Sequence, residues 1–237
     1  KAAPSNKVMV NRYLRTGATS GLPLAEVIAV CDRTIRQTTH ISTPTAIKMA
    51  GQFVHRVRRQ GGETLATALR SAGWAYLVAA RYSDARTAYL KARAVRGLDD
   101  ISRARIDRTL IDVAMYAGDL KEATHRAALA TKTFKALNAK DDLAKTWVNH
   151  ANVLHRQDRH QEAYSLYHRA GEYFASTKND SATALCWYNE ANTLTQLCEF
   201  EKAQELFSRS REIFIKHDQS LWAMGSLYGL AWLHMLE

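Results

Sequence analysis

Four polar residues on one predicted helix, Lys145, Asn149, Asn152 and Arg156, have the types and spacing to bind another molecule. Their steps of four, three and four residues place them on a single helical face. Asparagine carries both a hydrogen-bond donor and an acceptor, so a row of asparagines can pair with the amides of an extended peptide. The alternative is that these residues form an ordinary solvated helix face. Asparagine is a poor helix former, however, so its repetition at equivalent positions favours a binding role. The pattern therefore predicts a peptide-binding stripe.

The stripe recurs on the neighbouring predicted helices. The equivalent positions forty residues later are Leu185, Asn189, Asn192 and Gln196. Forty residues earlier they are Arg105, Thr109, Asp112 and Tyr116. The predicted groove residues are Arg105, Arg108, Lys145, Asn149, Asn152, Arg156, Tyr188, Asn189, Asn192 and Gln196. Because several are cations, the predicted partner is a protein or peptide with acidic side chains.

Other residues that support chemistry form no recognisable site. His150, His155 and His160 are five residues apart, a rotation of roughly 140° around a helix, so they lack the i, i+4 spacing of a zinc-binding pair. Cys186 lies in a packed apolar stretch, where a buried and unreactive thiol is expected. Three scattered cysteines also indicate thiols in a reducing compartment rather than a disulfide framework. We predict a cytoplasmic protein that is not an enzyme and has no metal and no cofactor.

The full chain of 237 residues has a net charge of +10. Its positive charge is concentrated in the first half. Residues 1–120 contain 19 Lys and Arg against 9 Asp and Glu, whereas residues 121–237 contain 14 of each. Nucleic acid could bind through Arg12, Arg15, Arg33, Arg36, Arg56, Arg58 and Arg59. Base stacking needs exposed aromatic rings, and only Tyr13 and Phe53 are near, with Phe53 at a core position. A solvated basic surface is the favoured interpretation, and an adaptor for RNA or a ribonucleoprotein is kept as an alternative.

An internal repeat organises most of the chain. Alanines recur at Ala85, Ala123, Ala163 and Ala203, with spacings of 38, 40 and 40 residues. Small and apolar residues follow three- and four-residue steps in two segments of each repeat, which is typical of a helix pair. Only 3 prolines and 11 glycines are present, too few for an all-β fold with many tight turns. The pattern predicts an all-α fold.

Polar breakers between the periodic segments define the helix boundaries. We predict helices over residues 22–39, 44–59, 63–80, 83–96, 100–117, 120–137, 140–157, 160–176, 180–197, 200–216 and 219–236. Residues 1–21 are predicted to be loosely ordered. Residues 22–62 are predicted to form a divergent helix pair, and residues 63–237 a repeat array that is a fragment of a longer chain.

The repeats resemble the tetratricopeptide repeat family in a longer form. The resembling positions include Gly73, Tyr89, Gly118, Trp147, Ala151, Tyr167, Ala170, Trp187, Ala191, Ala203 and Phe207. Ile111 and Ser210 depart from the family pattern, which has small residues there. The resemblance implies a right-handed α-solenoid of tandem helix-turn-helix repeats whose first helices line a concave groove. It implies a protein-protein interaction scaffold that binds a peptide segment or protein surface.

A narrower resemblance concerns the phrases ANVLHRQDRHQEA and YGLAWLHMLE. They are similar to the arrays that precede caspase-like CHAT protease domains in bacteria. This implies, as an alternative function, a regulatory or sensor array of such a protease. The protease would follow residue 237, so no catalytic residue is carried over.

The last predicted helix has an apolar face for which the sequence supplies no following helix. Its predicted interface residues are Leu227, Tyr228, Trp232 and Leu236. An uncovered apolar face marks an interface, so we predict that a further repeat, the next domain or a second copy of the chain docks there. The run from Gln219 to Leu236 is too rich in Ser, Gly, Gln and His for a membrane span, so no membrane partner is predicted.

Overall fold

The computed structural model describes residues 6–236, and within this range the regular structure is entirely helical. Its twelve helices are α1 (Asn6–Thr16), α2 (Leu24–Thr39), α3 (Thr43–Val57), α4 (Gly62–Val78), α5 (Tyr82–Arg93), α6 (Asp100–Tyr116), α7 (Leu120–Ala136), α8 (Lys140–Arg156), α9 (His160–Ser176), α10 (Asp180–Gln196), α11 (Phe200–Lys216) and α12 (Ser220–Leu236). The prediction of an all-α helical-repeat solenoid is confirmed.

The helices form two compact units, of which the first ends at Asp119 and the second begins at Leu120. In the first unit, α1 packs on α2 and α3, both of which pack on α4, and α5 contacts α4 and α6. In the second unit, each helix from α7 to α12 packs on its neighbours in the chain, and α10 also contacts α12. Each unit is therefore built by packing helices that are close in sequence.

The first helix, α1, lies in a segment that the sequence pattern predicts to be loosely ordered. Residues 1–5 of that segment lie outside the described range. Met9, Val10, Tyr13 and Leu14 of α1 are buried, which requires the packing of this face on α2 and α3. A helix of 11 residues is too short to be stable in isolation, so contacts distant in sequence support it. This explains why a local pattern did not reveal it.

In the second unit, six helices of 17 residues begin at every twentieth residue, from Leu120 to Ser220. Turns of three residues join them, and the middle residue of each has a positive φ between 52° and 59°: Asn138, Asp158, Lys178, Cys198 and Asp218. The next amide returns to a carbonyl five residues back, as in Asn179 N–H to Phe174 O at 2.9 Å. This is the Schellman motif, which caps the helix carboxyl end.

Alanines at the predicted helix crossings are fully buried. Ala151 and Ala163 share one buried cluster, and Ala191 and Ala203 share the next, with no exposed surface on any of them. Their small side chains let the paired helices approach closely. The repeat alignment therefore identifies residues that pack α8 on α9 and α10 on α11.

Ser210 is buried although serine departs from the repeat pattern. Its hydroxyl donates to Phe207 O at 2.9 Å and lies 3.0 Å from the hydroxyl of Ser226 on α12. Because both hydroxyls have partners, the buried pair carries no unsatisfied polar group. The departure is explained by a matching serine on the next helix.

Candidate functional site

A cleft of about 230 Å³ lies between α10, α11 and α12 in the second unit, and we call it the α10–α12 cleft. It is lined by Asn192, Thr195 and Gln196 from α10, Phe207 from α11, and Tyr228, Gly229 and Trp232 from α12. Tyr228 and Trp232 are 72% and 43% exposed, whereas Phe207 is buried. The cleft thus combines one polar wall with aromatic surface, an arrangement that can bind a peptide amide beside an apolar side chain.

Gly229 allows α12 to approach α11 at this cleft. A Cβ atom built on Gly229 would lie 2.5 Å from Cζ of Phe207. The Phe207 ring is 1% exposed and is held by the surrounding core, so it has little room to move away. A glycine is therefore required for the close packing that forms one wall of the cleft.

The asparagines at equivalent positions of two repeats have different partners. Asn152 Oδ1 accepts a hydrogen bond from the Tyr167 hydroxyl at 2.5 Å. Forty residues later Phe207 stands in place of Tyr167, and Asn192 Nδ2 donates to Tyr188 O at 2.8 Å. No side chain within the described residues donates to Asn192 Oδ1. Asn152 therefore stabilises its own repeat, whereas the Asn192 oxygen is available to a ligand.

Two of the remaining predicted groove residues have structural contacts. Lys145 forms an ion pair with Asp141 at 2.6 Å on its own helix, with both side chains about half exposed. Tyr188 packs in the interior edge of the unit, its ring centroid 5.8 Å from Phe207 and 5.7 Å from Trp222. The Tyr188 contacts join α10 to α11 and α12, whereas the Lys145 pair lies within α8, and neither residue lines the cleft.

The other predicted groove residues lie outside the cleft lining. Asn149 and Asn189 are partly exposed on α8 and α10, and Arg156 is exposed at the end of α8. Arg105 and Arg108 belong to α6 of the first unit. Of the ten predicted residues, Asn192 and Gln196 line the α10–α12 cleft. Thr195 and Phe207 were not predicted, although the change from Tyr167 to Phe207 between repeats is a signal visible in the sequence.

The outer face of α12 is broadly apolar and exposed, and we call it the α12 face. Its predicted residues Leu227, Tyr228, Trp232 and Leu236 are 50%, 72%, 43% and 44% exposed. Ala231 of α12 is exposed, whereas the residues at the equivalent positions of α8 and α10, Ala151 and Ala191, are buried. α9 packs on α8, and α11 packs on α10. Within the described residues no helix follows α12 and packs on it in this way. None of the helices in the range 6–236 combines the length and apolar character that crossing a membrane requires.

Two of the three histidines come closer together than their helical spacing predicts. The rings of His155 and His160 lie 4.9 Å apart, because a turn separates α8 from α9 between them. His155 Nδ1 lies 3.2 Å from Thr193 Oγ1, and burial lowers the pKa of His155. Over the part of the chain that the structure describes, no three His, Cys, Asp or Glu side chains form a group able to hold a metal ion.

Cys186 is buried within the second unit, as its apolar sequence context predicts. Burial, together with the charge of the neighbouring Glu190, raises the pKa of its thiol to about 12. The thiolate is the reactive form of cysteine, so this side chain is unreactive near neutral pH. Burial also raises the pKa of Glu190, whose Oε2 lies 3.3 Å from His168 Nδ1.

The described residues therefore form an all-α array of paired helices, with a cleft between neighbouring helices of its second unit. Residues 142–216 match the model of the tetratricopeptide repeat family. The predicted resemblance is supported for these residues, which are similar to tetratricopeptide repeats. No curated protein sequence matches the chain.

Several solved structures share the fold at low sequence identity. BtubC (BKLC) from P. vanneervenii is 16% identical with a TM-score of 0.70, over 82% of this chain and 84% of that chain. A Rap protein complexed with competence and sporulation factor is 13% identical with a TM-score of 0.69, over 97% of this chain and 70% of that chain. Bacillus thuringiensis PlcR, in complex with the peptide PapR7 and DNA, is 14% identical with a TM-score of 0.67, over 95% and 85% of the two chains.

Proposed function

We propose that the chain is an interaction scaffold that binds an extended peptide segment in the α10–α12 cleft. The main support for this proposal is the Asn192 side chain. Its Nδ2 donates a hydrogen bond to Tyr188 O, which orients the amide, and its Oδ1 has no donor among the described residues. Gln196 supplies a second amide one helical turn away, and Trp232 supplies an apolar surface opposite. A peptide bond and an adjoining apolar side chain fit this combination of groups.

The size of the cleft supports a peptide rather than a small molecule or cofactor. Its volume of about 230 Å³ is below the range of about 300–1,000 Å³ that is usual for small-molecule pockets. One apolar side chain with its flanking amides suits such a space. The PlcR structure, which shares the fold, is a complex with the peptide PapR7, and this supports a peptide as the class of ligand.

The first test uses short random peptides displayed on phage and selected on the full chain. Asn192→Ala combined with Gln196→Ala is expected to weaken selected peptides by about tenfold or more, since each lost hydrogen bond contributes about 0.5–1.5 kcal/mol. Fluorescence anisotropy with labelled peptides measures the Kd. Gln204→Ala, on an exposed position of α11 outside the cleft, is the control and should leave the Kd unchanged.

Peptides that bind the double variant as tightly as the wild type would assign peptide binding to another surface. A second variant to measure is Asn152→Ala, which removes the hydrogen-bond acceptor of the Tyr167 hydroxyl. That variant should lower the melting temperature without a specific loss of peptide affinity, because its side chain serves the repeat. Equal behaviour of the Asn152 and Asn192 variants would contradict the distinction drawn between them.

We also propose that the α12 face docks an amphipathic helix. Ala151 and Ala191 are each covered by a helix that has its own buried alanine, Ala163 or Ala203, at the crossing. The exposed Ala231 occupies the same place in the register of α12. The occupant suited to this face is therefore a helix with an alanine between apolar residues, packed as α11 packs on α10.

A synthetic peptide with the sequence of residues 200–216 is the probe for this docking. It should bind the chain and change the tryptophan fluorescence, and Ala231→Arg should abolish the change because a long cation blocks the crossing. Ala128→Arg, at an exposed alanine of α7, is the matched control. If the chain instead dimerises and Ala231→Arg restores the monomer in sedimentation, the α12 face binds a second copy.

The acidic character of the partner, predicted from the sequence, stays a prediction. The cations Lys145 and Arg156 do not line the α10–α12 cleft, so the cleft itself gives no reason for an acidic peptide there. The function as a regulatory array of a caspase-like CHAT protease, and the role as an RNA adaptor, likewise stay alternatives.

A further inference from the structure

A second cleft, of about 680 Å³, lies between α1 and α3 in the first unit, and we call it the α1–α3 cleft. Four of its lining residues are cations, namely Lys7, Arg12, Arg15 and Lys48, and none is acidic. Neither α1 nor α3 contains an acidic residue anywhere in its described length. The cleft therefore concentrates positive charge on a concave surface.

The cations of this cleft differ from the paired cations elsewhere in the unit. Arg36 pairs with Asp32 at 3.0 Å, and Arg93 pairs with Asp107 at 2.8 Å. Within residues 6–236, no carboxylate forms an ion pair with any of the four cleft cations. Unpaired charges of one sign on a concave surface attract an oppositely charged ligand.

The walls of the cleft are fixed by contacts independent of any ligand. Arg56 of α3 donates to the carbonyl oxygens of Leu14 and Arg15 at 3.1 and 2.6 Å, so it caps the carboxyl end of α1. Tyr13 and Met49 are buried at 2% and 5% exposure where the two helices meet. Because α1 is held in place, the spacing of its cations is set before a ligand binds.

We propose that the α1–α3 cleft binds an acidic peptide segment, whose carboxylates pair with the four cations. An apolar side chain of that segment can pack on Val8, which is 59% exposed between the cations. This site lies in the other unit and binds another class of segment than the α10–α12 cleft, so it is a function beyond the one proposed above.

The same observations disfavour a nucleic acid as the occupant. Single-stranded nucleic acids stack their bases on exposed aromatic rings, and no aromatic residue lines the cleft. The two rings that the sequence places near the basic residues, Tyr13 and Phe53, are 2% and 0% exposed. A peptide needs no such ring, because its carboxylates and aliphatic side chains meet the cations and Val8 directly.

The test uses three labelled probes on the full chain: a glutamate–leucine peptide, a glutamine–leucine peptide of the same length, and polyuridylate. The acidic peptide should bind, and its affinity should fall with added salt, which shortens the Debye length from about 10 Å at 0.1 M. Arg12→Glu with Lys48→Glu should weaken it by about tenfold or more. Both positions are exposed, so the fold should be kept, as a circular dichroism melt verifies.

The matched control is Arg59→Glu with Lys91→Glu, which changes the net charge equally at exposed positions outside the cleft. Equal weakening by both pairs, or equal binding of the neutral peptide, would overturn the proposal. So would tighter binding of polyuridylate through Arg12 and Lys48. If the reversals unfold the chain, Arg12→Gln with Lys48→Gln takes their place. The Asn192 variant should leave the acidic peptide bound, which separates this proposal from the previous one.

Discussion

Arg93→Met is expected to lower the free energy of unfolding by about 3 kcal/mol. The Asp107 side chain is 4% exposed, and Arg93 Nε donates to its two oxygens at 2.8 and 3.0 Å. Removal of the guanidinium takes two charge-assisted hydrogen bonds away from a buried carboxylate, so the Arg93 contribution no longer offsets the desolvation of that carboxylate. Urea denaturation followed by circular dichroism measures the loss.

Two comparisons isolate the burial of this pair. Arg93→Met with Asp107→Leu should recover part of the lost stability, because the double variant no longer buries the Asp107 charge. Arg81→Met breaks the ion pair with Asp84, whose partners are 51% and 48% exposed, and should cost less than about 1 kcal/mol. Equal losses for Arg93→Met and Arg81→Met would show that burial of Asp107 contributes nothing.

Gly73→Ala is expected to destabilise the first unit by about 1–3 kcal/mol. A Cβ atom built on Gly73 would lie 2.6 Å from Cε2 of Tyr89, whose side chain is buried. Glycine to alanine inside an unconstrained helix stabilises it by about 1 kcal/mol, so the overlap must reverse the usual sign. Thermal melting of the variant beside the wild type gives both sign and size.

Gly51→Ala is the matched control for this substitution. Gly51 lies inside α3, and a Cβ atom built on it meets nothing within 4 Å. The added methyl group should therefore raise stability by about 0.5–1 kcal/mol. A stabilising Gly73→Ala would mean that Tyr89 moves aside without cost.

The helix positions of the second unit were predictable because small and apolar residues recur at equivalent positions of neighbouring repeats. Ala163 and Ala203 mark the crossings in both sequence and structure. The helix ends were found although the residue in the left-handed turn, such as Lys178, is not a glycine. The first helix was not predictable in this way. Its Leu14 carbonyl is bonded by Arg56, 42 residues later, and no local window contains both residues.

The candidate site could be predicted only in part. The stripe pattern identified Asn192 and Gln196 but treated Asn152 as equivalent to Asn192. The two are distinguished by what stands opposite, Tyr167 in one repeat and Phe207 in the next, and only the packing of neighbouring helices brings these residues together. The approach of His155 to His160 likewise depends on the turn between them rather than on helical spacing.

The constant spacing of helices in the second unit restricts how such a gene can change in length. One residue inserted within a helix rotates the rest of that helix by about 100°, so an insertion in α9 before Ala163 would carry this buried alanine toward solvent. A duplication or loss of forty residues instead brings like contacts onto like: Arg169 lies 4.0 Å from the Trp147 ring, and Arg209 lies 4.1 Å from the Trp187 ring. Evolutionary change in length within this unit is therefore expected to proceed by whole helix pairs.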